Sequence, residues 1–451
     1  MSASSQSLEH VRERFHDLLV DGDARAAGAL AADLHASDLA DLFELLPEEL
    51  GVQLLSALPA DVASEALAEM EEGEDRGDLF AALTPERGAE LLGELADDDA
   101  ADLMGDLEPT EQRRILDVLP ADEAGDLIGL LRYDEDTAGG LMTTELVAVD
   151  ASLTAAEAIE EVRAQGREVG MFYTVWVVDA ERRLRGTLPL NDLVTADPAT
   201  PVRDLVEEPV ATVLPDVDQE EVSRLIARYN LVAIPVVSED NVLLGRITFD
   251  DVIDVLETEQ TEDLLRLAGL GDEEGLRHTW GQAVRARLPW LVLNLVTASL
   301  AASAILIFES VIDEVITLAF LAPIIAAIGG SSGTQSLAIT IRRITVEGSS
   351  SARGYVLREI LVGLVNGAVL GGGIALLALF IDGDPRLGLV VLLAMWGNQV
   401  VAGFAGAFVP ATLDRLGVDP SVASSVFVHT LTDLCGFFLL LGLASKLLLG
   451  A

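Results

Sequence analysis

The sequence predicts a multidomain chain with an N-terminal helical solenoid, a duplicated α/β module, a linking helix and five transmembrane helices. Three observations predict it. Short Leu/Ala-rich segments are punctuated by Pro and Asp at a steady, short interval throughout the first module. A β-branched motif then appears twice, at 172–194 and again at 231–253. Five apolar stretches, each long enough to cross a bilayer, follow it.

The punctuation of the first module, residues 1–131, reads LLPEE (45–49), ALPAD (57–61), LTPER (83–87), LADDD (95–99), LEPTE (107–111) and VLPAD (118–122). Pro and Asp suit the cap and first turn of a helix. The period therefore fits short helices that bury their apolar faces by stacking on one another.

The second module alternates strands and amphipathic helices. One copy, 138–200, holds FYTVWVVD (172–179) and LRGTLPLNDLV (184–194). The other, 201–256, holds LVAIPVV (231–237) and LLGRITFDDVI (243–253). Each reads as strand, turn, strand and acid-capped helix. An acidic linking helix is expected over 257–284.

Residues 285–451 change solvent. The apolar runs lie near 288–308, 315–341, 360–381, 387–413 and 422–450. Arg285, Arg287, Arg342, Arg343, Arg353, Arg358 and Arg415 fall on one side, against Arg386 and Lys446 on the other. The excess of basic residues marks the cytoplasmic side, so the N-terminal half is expected inside and the C-terminus outside. The polar start, MSASSQSLEHVRERF, carries no apolar signal core, which fits the same expectation. An odd number of spans without an inverted repeat points to a pore between two copies of the chain. Gly363, Gly367 and Gly371 in span three allow close helix approach, within one subunit or between two.

The formal charge is −47, of which residues 1–287 carry −44. Such acidity excludes nucleic-acid binding, which needs a basic face. It is either a strongly hydrated surface or one that gathers divalent cations. The single Cys435 excludes an internal disulfide framework and a multi-thiolate metal site. No Ser-His, Cys-His or phosphate-loop constellation appears, so an enzyme is not expected.

The repeated α/β motif resembles paired CBS domains, which commonly bind adenine nucleotides. Gly245, Thr248 and Asp251 match that family's Gly-φ-φ-Thr-x-x-Asp pattern; the first copy has Pro189 at the Thr position, followed by Asp192. The resemblance assigns Thr248 and Asp251 to nucleotide binding. The whole order of domains resembles the MgtE family of magnesium channels. YDEDTAGGLMT (133–143), DQEEVSRLIARYNL (218–231), FDDVIDVLETEQTEDLLRLAG (249–269), PIIAAIGGSSGTQS (323–336) and VDPSVASSVFVHTLTDLCG (418–436) carry the likeness. Ser331 replaces an Asn of the family pattern, Ser425-Val426 replaces an Asn/Gly-Pro pair, and Asn230 stands where the family has Asp.

Asp433 lies near the middle of span five, where an ionised carboxylate costs at least about 2.5–3.5 kcal/mol and needs a partner or water. Mg²⁺ takes oxygen ligands and keeps much of its water shell. Asp433 with Thr430, Thr432 and the carbonyls around Ser425 would suit it, with Gly436 leaving room for two copies to approach. His429 is one turn before Asp433 on the same face. It is either a packed residue or, facing the pore, a group better suited to Zn²⁺, Co²⁺ or Ni²⁺.

The resemblance implies Mg²⁺ entry through a homodimer, closed by cytosolic Mg²⁺ bound between the soluble domains and the linking helix. Asp98, Asp102, Asp218, Glu220, Asp251, Asp254, Glu259, Glu262 and Asp263 are the expected ligands there. The rival readings are a transporter of another divalent cation, such as Co²⁺, and a non-conducting membrane-anchored nucleotide sensor.

Overall fold

The structure is a computed structural model describing residues 5–450 apart from 33, 71–72, 168, 170, 269, 271–279, 348–351, 417 and 423–424. The chain divides into two compact units, residues 1–257 and 258–451.

In the first unit the described helices are α1 (Ser5–Val20), α2 (Ala24–Ala31), α3 (Ala36–Leu45), α4 (Glu48–Ala57), α5 (Ala60–Ala68), α6 (Glu74–Ala81), α7 (Pro85–Leu92), α8 (Asp97–Gly105), α9 (Pro109–Leu116) and α10 (Ala121–Leu130). Each predicted punctuation opens a helix. Pro47, Pro59 and Pro120 precede α4, α5 and α10, while Pro85 and Pro109 occupy the first turns of α7 and α9. Thr84 adds a cap, its hydroxyl accepting from Arg87 N at 3.2 Å. Asp97, Asp98 and Asp99 crowd the first turn of α8, where the helix dipole favours negative charge.

The duplicated module follows as β1 (Ala148–Asp150), α11 (Ala155–Gln165), β2 (Thr174–Val178), β3 (Leu184–Pro189) and α12 (Leu190–Thr195). The second copy holds α13 (Gln219–Tyr229), β4 (Ala233–Val237), β5 (Leu243–Thr248) and α14 (Phe249–Leu267). The β2–β3 and β4–β5 pairs are both antiparallel, and β1 runs parallel to β2. Each copy thus supplies the same hairpin. The two hairpin turns meet: Leu184 N donates to Asn241 O at 2.9 Å and Leu243 N to Arg182 O at 3.0 Å.

The first copy has its own core around Val149, Val175 and Leu188. The second copy shares a core with the solenoid, running from Phe15, Leu54 and Leu103 to Ile234, Ile247 and Val252. Burying apolar area on both sides of that seam holds α8 against the start of α14. This seam brings together the acidic groups of α8 and α14.

Helix α14 does not start at residue 257, as expected of the linking helix. It grows directly from the last strand of the second copy and runs unbroken to Leu267. Residues 269 and 271–279 of the expected linking segment lie outside the described residues.

The second unit holds α15 (Trp280–Ile307), the short α16 (Glu309–Glu314), α17 (Thr317–Glu347), α18 (Ala352–Asp382), α19 (Pro385–Arg415) and α20 (Ser425–Ala444). Among the described residues, five helices are long and apolar enough to cross a membrane: α15, α17, α18, α19 and the stretch Val426–Leu449 that includes α20. The Gly stripe of α18 packs within the subunit. A Cβ on Gly363 would run into Gln399 O of α19, and one on Gly371 would meet Leu392 O at 2.9 Å.

Candidate ion path and cytosolic cation site

Within the membrane unit, the polar residues of α17 and α20 share one face. Ser331, Gln335 and His429 are exposed there, and Thr334, Thr430 and Asp433 are half-buried. Among the described residues of this unit, each of these side chains keeps exposed area. The His429 Nε2 lies 3.2 Å from the Thr334 hydroxyl. Among the described residues, Asp433 accepts no hydrogen bond. Thr430 is bonded back to Val426 O at 2.7 Å, and Ser331 to Ala327 O at 2.9 Å.

Two predicted pore residues sit elsewhere. Thr432 is buried and its hydroxyl lies 3.0 Å from the carbonyls of Val428 and His429, so it serves its own helix. Gly436 faces the interior of its own bundle, where a Cβ would meet the Asn398 amide at 2.9 Å. The close approach it permits is to α19. The side chain of Ser425 lies outside the described residues.

Asn398 and Gln399 are polar residues that sequence reasoning passed over. Both are fully buried, donating to Ile325 O (3.1 Å) and Ile328 O (3.3 Å) of α17. Among the described residues, their carbonyl oxygens, Asn398 Oδ1 and Gln399 Oε1, are buried without a partner. A pair of adjacent carboxamides in an otherwise apolar span was the available signal.

At the start of the second unit, Arg266 of α14 ion-pairs with Glu262 and with Asp419 just ahead of α20. Glu262 is thereby occupied by a guanidinium. Burial and the nearby Asp419 carboxylate raise the Asp263 carboxyl above its ordinary range.

In the first unit the acidic groups gather where α8 meets α14. Burial, then repulsion from Asp99, Asp251 and Asp97, holds the Asp98 carboxyl well above the usual carboxylate range. Among the described residues, its Oδ1 is buried without a hydrogen-bond partner. Asp99 is pushed up to about 6 by burial and by Asp251, with the nearby Arg76 opposing. Asp251 is raised by burial, and Asp254 by burial and by Glu69 and Glu257. Carboxylates forced together in low dielectric resist ionisation unless a cation joins them.

Asp99 and Glu69 belong to this cluster and were not expected from sequence. Asp102, expected as the partner of Asp98, lies one turn further along α8. Asp251 also caps its own helix, accepting from Thr248 N (3.0 Å) and Thr248 Oγ1 (2.7 Å). The two residues assigned to nucleotide binding are therefore bonded to each other. Asp218 caps α13 by accepting from Glu220 N at 2.8 Å, and Asn230 ends that helix in the left-handed conformation that Asn tolerates. Glu259 follows on α14, half-buried.

The donor set fits a hydrated divalent ion. It is all oxygen, one oxygen is orphaned, and Arg76 is the opposing cation beside Asp99. Among the described residues, no three carboxylate or imidazole groups converge closely enough to form a cage. Mg²⁺, which keeps several waters, does not require one.

A solenoid fused to a duplicated α/β module, followed by five spans with a carboxylate on a partly exposed polar face, marks the class of multi-pass membrane transporters of divalent cations that carry a large soluble unit. Models of known families match in the same order: MgtE intracellular N domain over 34–136, CBS domain over 138–199 and 202–258, and MgtE, described as divalent cation transporter, over 322–443. The chain belongs to the MgtE family. It is 36% identical over 447 residues to "Magnesium transporter MgtE" of Thermus thermophilus, covering 98% of this chain and 99% of that one. It is 30% identical over 430 residues to the protein of that name from Bacillus subtilis, covering 95% of each. Among solved structures, the cytosolic domain of the Mg²⁺ channel MgtE in complex with ATP matches at 37% identity and TM-score 0.51, over 54% of this chain and 99% of that one.

Proposed function

We propose that this chain conducts Mg²⁺ inward across the cell membrane as a homodimer, with Asp433 at the ion path. The partly exposed polar strip of α17 and α20 carries this reading. Exposed to lipid, Gln335, His429 and Asp433 would each cost free energy. Facing the same strip of a second copy across a water-filled path, they are solvated. The excess of basic residues at one end of the spans supports a cytoplasmic soluble unit and an outside C-terminus. Relatives named as magnesium transporters support Mg²⁺ as the cargo. Flux of Mg²⁺ into liposomes holding the purified chain, wild type beside Asp433→Ala, tests it; undiminished flux in a folded mutant overturns the assignment of Asp433.

The cytosolic acidic cluster serves as the Mg²⁺ sensor. At high internal Mg²⁺, ions held by Asp98, Asp99, Asp251 and Asp254 neutralise the repulsion across the α8–α14 seam and keep the unit closed up. At low Mg²⁺ the repulsion returns and the pore is released. Glu259, Glu262 and Asp263 further along α14, with Asp102, Asp218 and Glu220, are further candidates for the sensor. Neutralising Asp251, Asp254, Glu259 and Glu262 together should leave flux undiminished at high internal Mg²⁺, and closure like that of wild type would refute the scheme.

Adenine nucleotide is a second ligand of this unit, supported by the relative whose cytosolic domain was crystallised with ATP. Thr248 and Asp251 of the second copy are the residues to carry it. Calorimetric titration of ATP into wild type and Thr248→Ala decides the point.

A further inference from the structure

We propose that His429 turns the ion path of this chain into a mixed nitrogen–oxygen site. There it holds Ni²⁺, Co²⁺ or Zn²⁺ between its Nδ1 and the Asp433 carboxylate, and a held ion of this class obstructs Mg²⁺. The inference rests on the assignment of Asp433 to the path and adds a ligand to it.

Four observations carry it. His429 is exposed on the polar strip rather than packed in the core. Its ring nonetheless has a fitted seat on α17: a Cβ on Gly330 would meet His429 Cδ2 at 2.7 Å and Nε2 at 3.0 Å, so only glycine leaves room for the imidazole. Its Nε2 is 3.2 Å from Thr334 Oγ1. That hydroxyl also lies 3.2 Å from Gly330 O, which can only accept. The Thr334 proton therefore goes to Gly330 O, the hydroxyl oxygen accepts from Nε2–H, and the imidazole lone pair is left on Nδ1.

This is the arrangement that prepares an imidazole to bind a metal: one ring nitrogen donates to a protein oxygen, which fixes the tautomer and aims the other. Asp433 lies four residues on, one turn along the same face. One nitrogen and one carboxylate per chain, with water in the remaining positions, favour late first-row divalent ions over Mg²⁺, which selects oxygen. Mg²⁺ passes such a site through its water shell and the carboxylate. An ion that binds the imidazole directly leaves slowly.

The test uses the full chain in liposomes, with Mg²⁺ influx measured as Ni²⁺ is added outside and each variant normalised to its own Ni²⁺-free influx. Wild type should be inhibited by Ni²⁺. In His429→Ala, which removes the ligand itself, the half-inhibiting concentration should rise by about 100-fold or more, since loss of a ligand's outer-shell support alone costs about 10–100-fold. Thr334→Val, which keeps the imidazole but removes its anchor, should give a smaller rise. Calorimetric titration of Ni²⁺ into detergent-solubilised wild type and His429→Ala supplies a readout that needs no conduction: one class of sites present in wild type should be missing from the variant. Equal Ni²⁺ inhibition and equal Ni²⁺ binding in the two proteins overturn the proposal. Loss of a Ni²⁺ site in His429→Ala together with undiminished Mg²⁺ influx in Asp433→Ala would instead keep the metal site and overturn the path assignment.

Discussion

The Asp97 carboxylate at the start of α8 accepts a hydrogen bond from the Thr143 hydroxyl at 2.5 Å, joining the solenoid to the entry of the duplicated module. The Thr144 amide donates to both oxygens of the same carboxylate at 3.1 Å. One residue before Asp98, a carboxylate is thus satisfied by neutral donors, while Asp98 and Asp99 face other acids. Asp97 therefore clasps the solenoid to the start of the duplicated module, beside carboxylates that repel one another.

Asp97→Ala leaves the Thr143 hydroxyl and the Thr144 amide without their acceptor. The expected cost is about 1–3 kcal/mol. It should appear as a lower denaturation midpoint of the 1–257 fragment at saturating Mg²⁺, with an unchanged m-value.

The acidic seam sets a pH dependence. Asp99 titrates at about 6 in the folded chain against an ordinary value of 3.8. A carboxyl raised on folding favours the folded state below its unfolded value and loses that contribution as pH rises through the folded value. Without Mg²⁺, the 1–257 fragment should therefore melt several degrees higher at pH 5 than at pH 7.5. Saturating Mg²⁺, which replaces the protons, should shrink or reverse that difference. An Asp99→Asn variant in Mg²⁺-free buffer should show a smaller pH effect than wild type.

Arg76 is the cation that acts on both Asp99 and Asp106. It is 3% exposed, and its Nε lies 2.5 Å from Asp106 Oδ2. Removing one member of a buried pair strands the other, at about 3–5 kcal/mol. Arg76→Ala should lower fragment stability by that order at pH 7.5, and less at pH 5, where Asp106 protonates more readily. Denaturant melts at the two pH values measure the difference.

Gly436 and Asn398 should behave as a pair. Gly436→Ala brings a methyl within 2.9 Å of the Asn398 amide, which must shift or break its bond to Ile325 O. The single variant should lose thermal stability in detergent, by several degrees. Adding Asn398→Ala, which clears the space, should recover part of that loss, and a double mutant worse than the sum of its singles would contradict the contact.

What the sequence disclosed depended on whether the signal was local. Pro47, Pro59, Pro85, Pro109 and Pro120 mark helix starts wherever the chain folds, and the five apolar runs are long enough to span a bilayer without reference to any neighbour. The helix face was not local. A membrane span is apolar all round, so its hydrophobic pattern does not say which side meets the bundle. Thr430 and Thr432 look equivalent in sequence, yet one is half-buried on the polar strip and the other fully buried. Asp99 and Glu69 were missed for a related reason. Their importance comes from Asp250, Asp251 and Asp254, far along the chain, and becomes visible only when the shared core brings α8 to α14.

The Gly363 and Gly371 contacts put the backbone of α18 directly onto the backbone of α19, with Gly367 seated on Trp396 between them. Sliding of packed helices is taken up by adjustments of the side chains between them, and a backbone-on-backbone seam offers few of these. These two helices should therefore travel as a single plank. The plank then offers a natural frame of reference against which any displacement of α17 and α20 can be measured.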